Sequence, residues 1–80
     1  SAASDVYKRQ IITRLRTVYG IPTHILKETF GETLFDYCMR MASPHLKQGF
    51  LTLDNHVMKL TEKGIFISDG IMSDLLWVDD

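Results

Sequence analysis

The apolar residues in the first part of the chain recur at helical spacing. One stripe, at positions i, i+1, i+4, i+7 and i+8, consists of Ile11, Ile12, Leu15, Val18 and Tyr19. Gly20 follows this stripe, where a glycine suits the left-handed backbone of a C-terminal cap. Pro22 suits a first helical position, and a second, short helix should run to Phe30 before Gly31 ends it.

A longer helical stripe follows Gly31. It consists of Leu34, Phe35, Cys38, Met41, Ala42 and Leu46, and it ends at Gly49. Pro44 lies within this stripe, and a proline there removes one backbone hydrogen bond. We therefore expect either a kink at Pro44 or a break, with Ser43 capping a final turn.

The last third of the chain predicts a β-hairpin that runs directly into a helix. Apolar residues of segment 50–53 would face those of segment 57–60 across a turn at Asp54, Asn55 and His56, where Asn and Asp tolerate left-handed backbone. Thr61 can cap the next helix, and Glu62 adds negative charge to its first turn. The predicted fold is mostly α with a small β-hairpin: a winged-helix-like domain of about four helices and one two-stranded wing.

The predicted last helix, from Glu62 to about Trp77, is apolar on more than one face. Gly64 and Gly70 within it indicate the close approach of another element. Three short helices and a hairpin cannot cover so much apolar surface, so part of it should remain exposed. We expect a docking surface that includes Ile65, Phe66, Met72 and Trp77.

Composition restricts the class of protein. The chain has 80 residues, 45% of them hydrophobic, and a formal charge of −1, as expected of one small soluble cytoplasmic domain without affinity for nucleic acid. No apolar stretch approaches the roughly 18 residues of a membrane span. Cys38 is the only cysteine, so the chain has no internal disulfide and cannot by itself ligate an iron–sulfur cluster or a cysteine zinc site.

Residues 1–10 resemble the translation, in one reading frame, of a transposase adapter used to prepare sequencing libraries. On this interpretation native sequence begins near Ile11, and the chain is the tail of a longer open reading frame. Residues 1–10 should then contribute nothing to the fold, and residues 11–80 should form the domain.

Short motifs between Ile11 and about Leu76 occur in a characteristic order. They are Leu15-Arg16, Tyr19-Gly20-Ile21, Phe30-Gly31, Gln48-Gly49-Phe50-Leu51, Leu60-Thr61-Glu62-Lys63-Gly64, Ser68-Asp69-Gly70-Ile71 and Asp74-Leu75-Leu76. In this order they resemble the C-terminal domain of the HemN/HemW group, which comprises oxygen-independent coproporphyrinogen III oxidases and heme chaperones. The tail as a whole is more similar to the heme chaperone branch than to the oxidases.

The resemblance implies a radical S-adenosylmethionine barrel upstream, as the partner on which this domain packs and whose open face it helps to cover. The parent protein would use a 4Fe-4S cluster, S-adenosylmethionine and heme or a porphyrin precursor. The Cys-x-x-x-Cys-x-x-Cys cluster motif of that barrel has no counterpart in this chain. No cofactor is therefore expected in this fragment.

The resemblance also draws attention to Arg16 and Asp69, which match an arginine and an acidic position of the family pattern. Apolar neighbours at positions 66, 67 and 71 predict a buried Asp69, which would need a cation or hydrogen bonds. Arg16 could supply that cation as a structural partner; the alternative is solvent exposure of one or both. Asp74 lies about 140° further around the helix and is expected to be solvated.

The remaining candidate ligands are dispersed. His24, His45 and His56 fall on separate elements, so we expect no heme or metal site. Cys38 and the four methionines, Met39, Met41, Met58 and Met72, are expected to fill the core. No nucleophile elbow, phosphate loop or His-x-x-x-His pair is present, so we expect no catalytic residues.

Two other classes of function compete with the accessory-domain hypothesis. A winged-helix DNA-binding module would use the segment from Glu32 to Gln48 as its recognition helix, but the acidic Glu32 and Asp36 there oppose Arg40 and Lys47. A free-standing protein-interaction domain is the third possibility.

Overall fold

The computed structural model of the protein describes residues 2–76. In chain order the elements are α1 (Ala2–Leu15), β1 (Ile21–Pro22), α2 (Thr23–Phe30), α3 (Glu32–Lys47), β2 (Leu51–Asp54), β3 (Val57–Leu60), α4 (Glu62–Ile65) and α5 (Ser68–Leu75). The strands form an antiparallel sheet in the order β1-β3-β2. The prediction of a mostly helical domain with a small β wing is confirmed, and the described residues add one helix and one strand to it.

The β2–β3 hairpin forms where it was predicted, because its two turn residues accept left-handed backbone. Asn55 and His56 have φ values of 55° and 63°, which two-residue hairpin turns of the primed type require. Leu51 lies opposite Leu60 and is buried. The register therefore turns one face of the wing toward the helices.

Strand β1 extends this hairpin, although the sequence pattern did not predict it. Ile21 pairs with Met58 of β3, and both side chains are fully buried. Pro22 belongs to this strand instead of starting α2, which begins at Thr23. The backbone amide and the hydroxyl of Thr23 both donate to the carbonyl oxygen of His56, at 2.9 and 3.1 Å. A strand of two residues is too short to leave a period in the sequence.

Helix α1 ends at Leu15, four residues before the predicted stripe does. The amide and hydroxyl of Thr17 donate to the carbonyl oxygen of Arg14, at 3.1 and 2.8 Å, and the chain turns away from the helix there. Val18 and Tyr19 were expected on the buried stripe, but they lie in this turn and are exposed.

The N-terminal half of α1 packs into the domain. Tyr7 is fully buried, and its hydroxyl donates to the carbonyl oxygen of Leu75 at 2.7 Å. Its ring meets Phe30 edge-on, with 5.6 Å between ring centroids. The expectation that residues 1–10 contribute nothing to the fold is therefore wrong for this structure. The adapter origin of the segment stays a prediction.

Helix α3 is continuous from Glu32 to Lys47, so the break considered at Pro44 does not occur and Ser43 starts no new turn. The amide of Gln48 donates to the carbonyl oxygen of Pro44 at 3.0 Å, which shows that helical bonding continues past the proline. One lost hydrogen bond is tolerated because the helix is held against α2, α5 and β2.

The predicted helix from residue 62 onward is two helices, α4 and α5. Ile67 has φ −123° and ψ 28°, outside the helical region, and its amide makes a tight bond of 3.1 Å to the carbonyl oxygen of Gly64. Neither a proline nor a glycine marks this break. It lets α4 follow the hairpin while α5 turns to bury Ile71, Met72 and Leu75.

The core lies between the helices and the inner face of the sheet. Its buried side chains are Tyr7, Ile11, Leu15, Ile21, Leu26, Leu34, Cys38, Ala42, Leu51, Met58, Ile71, Met72 and Leu75. Cys38 and Met58 therefore fill the core as predicted, with Met72 beside them. The longest described helix, α3, has 16 residues, and no helix in residues 2–76 is long and apolar enough to cross a membrane.

Candidate docking surface

The corner between α4 and α5 exposes three consecutive apolar residues. Ile65, Phe66 and Ile67 have 59%, 88% and 44% of their surface accessible. We call these residues the 65–67 corner. Large apolar side chains that lie next to one another on the surface are candidates for contact with another domain or molecule.

Local chemistry fixes the position of the corner. The hydroxyl of Thr61 accepts the amide of Gly64 at 3.0 Å, which caps α4 as predicted. A Cβ on Gly64 would lie 2.0 Å from the carbonyl oxygen of Phe50, so only glycine allows α4 to approach the hairpin this closely. Close approach is thus confirmed at Gly64, whereas a Cβ on Gly70 would meet nothing within 4 Å, and the expectation there is wrong.

Two of the four predicted docking residues lie on this corner. Ile65 and Phe66 are exposed, as expected, and Ile67 joins them although it was not in the predicted set. Met72 is only 3% exposed and belongs to the core, because the break at Ile67 rotates α5 relative to α4. Trp77 lies outside the described residues. The docking role itself stays a prediction.

Arg16 and Asp69 meet at the edge of the corner. Their Nη2 and Oδ1 atoms are 3.6 Å apart, while their side chains are 59% and 95% exposed. The pair considered from the sequence is therefore present, and both side chains are also exposed to solvent, as the alternative had it. The expected burial of Asp69 is wrong. An ion pair in solvent contributes little to stability, about 0–1 kcal/mol.

Val18 and Tyr19 form a second group of exposed apolar residues, and each side chain is 80% accessible. They lie two and three residues after Arg16, and Asp69 lies two residues after Ile67. The ion pair therefore joins the turn at residues 16–20 to the 65–67 corner. Helical periodicity concealed this group, since both residues continue the apolar stripe of α1 in the sequence.

Sequence reasoning also missed a contact between α3 and α5. The Nε2 atom of His45 lies 2.8 Å from Oδ2 of Asp74, and the hydroxyl of Tyr37 donates to the carbonyl oxygens of Asp74 and Leu76, at 3.4 and 3.2 Å. Asp74 is half-exposed, but it is paired and not simply solvated. These contacts hold the end of α5 against α3, and they are structural.

The candidate metal ligands of the described residues do not converge. They contain no group of three His, Cys, Asp or Glu side chains able to hold a metal ion. Burial raises the pKa of the Cys38 thiol, which disfavours the thiolate that iron or zinc would bind. Burial likewise raises the pKa of the neighbouring Tyr7 hydroxyl, with Cys38 adding to the effect.

A shallow groove lies between α1 and α2. Its volume is about 170 Å³, and its lining is Val6, Gln10, Arg14, Ile21, Ile25, Thr29 and Phe30. Ligand sites usually occupy roughly 300–1,000 Å³. The groove is smaller than these, so the exposed apolar residues are the better candidate for function.

Comparison with protein families decides the class of this domain. The chain matches the family described as HemN C-terminal domain over residues 2–67. It belongs to that family. The resemblance found in the motifs of the sequence is thereby confirmed at the level of the HemN C-terminal domain family. Neither the curated proteins nor the solved structures compared with the chain gave a match.

Proposed function

We propose that this HemN C-terminal domain is the accessory domain of a radical S-adenosylmethionine heme chaperone of the HemW type. It packs on the barrel that precedes it in the parent chain and helps to cover the open face of that barrel. The cluster, S-adenosylmethionine and heme belong to the parent, and this domain contributes a contact surface.

The observation that carries the proposal is the exposure of the 65–67 corner. A small domain gains little stability from its core, because a chain of about 60 residues buries only roughly 60% of the surface that it exposes when unfolded. Leaving a large apolar side chain in solvent is therefore costly for such a domain. Phe66 nevertheless lies 88% in solvent. Removing it from water against a neighbouring domain would contribute about 1.5–3 kcal/mol, which is enough to hold two tethered domains together.

The chemistry of the site residues supports an accessory role over a catalytic one. The ion pairs among the described residues are Arg16–Asp69, Lys27–Glu32 and His45–Asp74, and each joins two segments of the fold. None of these side chains lines the groove between α1 and α2. The role these residues support is architectural.

Substitution of Phe66 in the full-length parent chain tests the docking role. Phe66→Ser should speed proteolytic cleavage between barrel and C-terminal domain about fivefold or more, since loss of an interface aromatic commonly costs more than about 1 kcal/mol. Leu53→Ser is the matched control, because Leu53 is also an exposed apolar residue but lies on strand β2 of the wing. Equal cleavage rates in the two variants would contradict docking through the corner.

The preference for the heme chaperone branch rests on the resemblance of the tail. The alternative is the same domain in an oxygen-independent coproporphyrinogen III oxidase. Two assays of the parent chain distinguish these alternatives. Stoichiometric heme binding without consumption of coproporphyrinogen III supports the chaperone, and turnover of coproporphyrinogen III supports the oxidase. The docking role of this domain is the same in both.

A further inference from the structure

We propose that Val18, Tyr19 and the 65–67 corner form one bipartite docking surface for the preceding domain, and that the Arg16–Asp69 ion pair sets the spacing of its two halves. This inference rests on the proposed function. It deepens that function by assigning a second contact element, Val18 and Tyr19, and by giving the Arg16–Asp69 pair a role in positioning the two halves.

The two halves are held by the same part of the fold. A Cβ on Gly20 would lie 2.3 Å from the carbonyl oxygen of Met58, so the turn carrying Val18 and Tyr19 rests directly on strand β3. Gly64 rests equally closely on the carbonyl oxygen of Phe50, just before β2. Because backbone meets backbone at both places, neither half can shift without moving the hairpin.

The ion pair crosses from one half to the other. Arg16 stands two residues before Val18 and Asp69 two residues after Ile67, and their side chains come within 3.6 Å of each other. In solvent such a pair is weak. Covered by another domain, the two charges would attract each other more strongly in a lower effective dielectric, but removing them from water would cost free energy. The contribution we assign to the pair is therefore to geometry and not to affinity.

The size of the surface favours a tethered partner over a second copy of the domain. Its two aromatic side chains, Tyr19 and Phe66, are 80% and 88% exposed and together present on the order of 250–400 Å². The three aliphatic side chains, Val18, Ile65 and Ile67, add a smaller area. Stable complexes between separate chains bury about 800 Å² per partner. Interfaces between domains of one chain begin near 600 Å² in total, or about 300 Å² per side, and the tether supplies a high effective concentration. The barrel of the same chain is therefore the occupant we infer.

The test uses the full-length parent and measures the rate of proteolytic cleavage between the domains. Tyr19→Ser should raise that rate about fivefold, as Phe66→Ser does, while Leu53→Ser leaves it within about twofold. Tyr19→Gln is a second polar variant at the same exposed position, and circular dichroism verifies that each variant is folded. If Tyr19 variants behave like Leu53→Ser while Phe66→Ser loosens the contact, the bipartite surface is overturned and the proposed function stands. If neither Tyr19 nor Phe66 matters, both fall.

Charge reversal tests the positioning pair separately. Arg16→Asp or Asp69→Arg alone should raise the cleavage rate about two- to fivefold, and the combined exchange should return it toward wild type, because the opposite charges are restored in swapped order. Adding salt should reduce the difference between the single variants and wild type. A combined variant as loose as the singles would overturn the role assigned to the pair.

Discussion

Tyr7 provides the sharpest test of whether the N-terminal segment belongs to the fold. Its side chain is fully buried, its ring meets Phe30 edge-on, and its hydroxyl donates to the carbonyl oxygen of Leu75 at 2.7 Å. Leu75 is the last residue of α5, so its carbonyl has no partner within the helix. Tyr7 supplies that partner across a sequence distance of 68 residues.

Two substitutions separate the contributions of ring and hydroxyl. Tyr7→Phe keeps the ring and leaves a buried carbonyl without a donor, which should lower the free energy of unfolding by about 1–2 kcal/mol. Tyr7→Ala also removes the packed ring, and the loss should reach about 3–5 kcal/mol. A domain of this length has a total stability of roughly 4–12 kcal/mol, so the alanine variant should lose a large part of its stability.

Urea unfolding followed by circular dichroism measures both effects. With a slope of about 1 kcal/mol per molar urea, Tyr7→Phe should move the midpoint down by about 1–2 M. Tyr19→Phe is the matched control, because the same hydroxyl is removed from a side chain that is mostly in solvent. Deletion of residues 1–10 should cost at least as much as Tyr7→Ala.

The opposite result would restore the adapter interpretation in full. If Tyr7→Ala and the deletion both stay within about 1 kcal/mol of wild type, the size of an ordinary single-site effect, then residues 1–10 do not contribute to folding. The packing described for the N-terminal half of α1 would then be refuted.

Three further predictions follow from the geometry. Gly70→Ala should stabilise α5 by about 1 kcal/mol, because the added Cβ meets nothing within 4 Å. Gly64→Ala should destabilise the domain by several times that amount, because it puts a Cβ 2.0 Å from the carbonyl oxygen of Phe50. Thermal unfolding of the two variants measures both effects. Hemin titration followed at the Soret band should show no saturable site in the domain. A saturable site that disappears when one of the three histidines is replaced by alanine would disprove this. Duplex DNA should bind only weakly in anisotropy titrations at low salt, whereas sequence-dependent binding with a steep salt slope would revive the winged-helix hypothesis.

The parts of the fold that were predictable depend on neighbours in the sequence. Asn55 and His56 form the hairpin turn, Thr61 caps α4, and Gly31, with φ 89°, separates α2 from α3. Each of these signals is a preference of one or two residues for a particular backbone angle or hydrogen bond, so it can be read without knowledge of the tertiary structure.

The parts that were not predictable depend on distant contacts. The break at Ile67 has no glycine or proline to mark it, and it arises because α4 follows the hairpin while α5 packs into the core. Strand β1 exists only because Ile21 meets Met58. The candidate surface was only partly predictable for the same reason, because exposure also depends on distant contacts. Phe66 was expected there, but Met72 was wrongly included and Tyr19 was assigned to the buried face of a helix.

A photo-crosslinker in place of Phe66 tests the central claim most directly. Benzoylphenylalanine at this position in the full-length parent chain, followed by mass spectrometry of the crosslinked peptides, identifies what lies against the corner. The account predicts crosslinks within one chain, from residue 66 to the preceding barrel, and few from the same group placed at Leu53. Crosslinks only to other molecules, or a yield at residue 66 no higher than at Leu53, would contradict it.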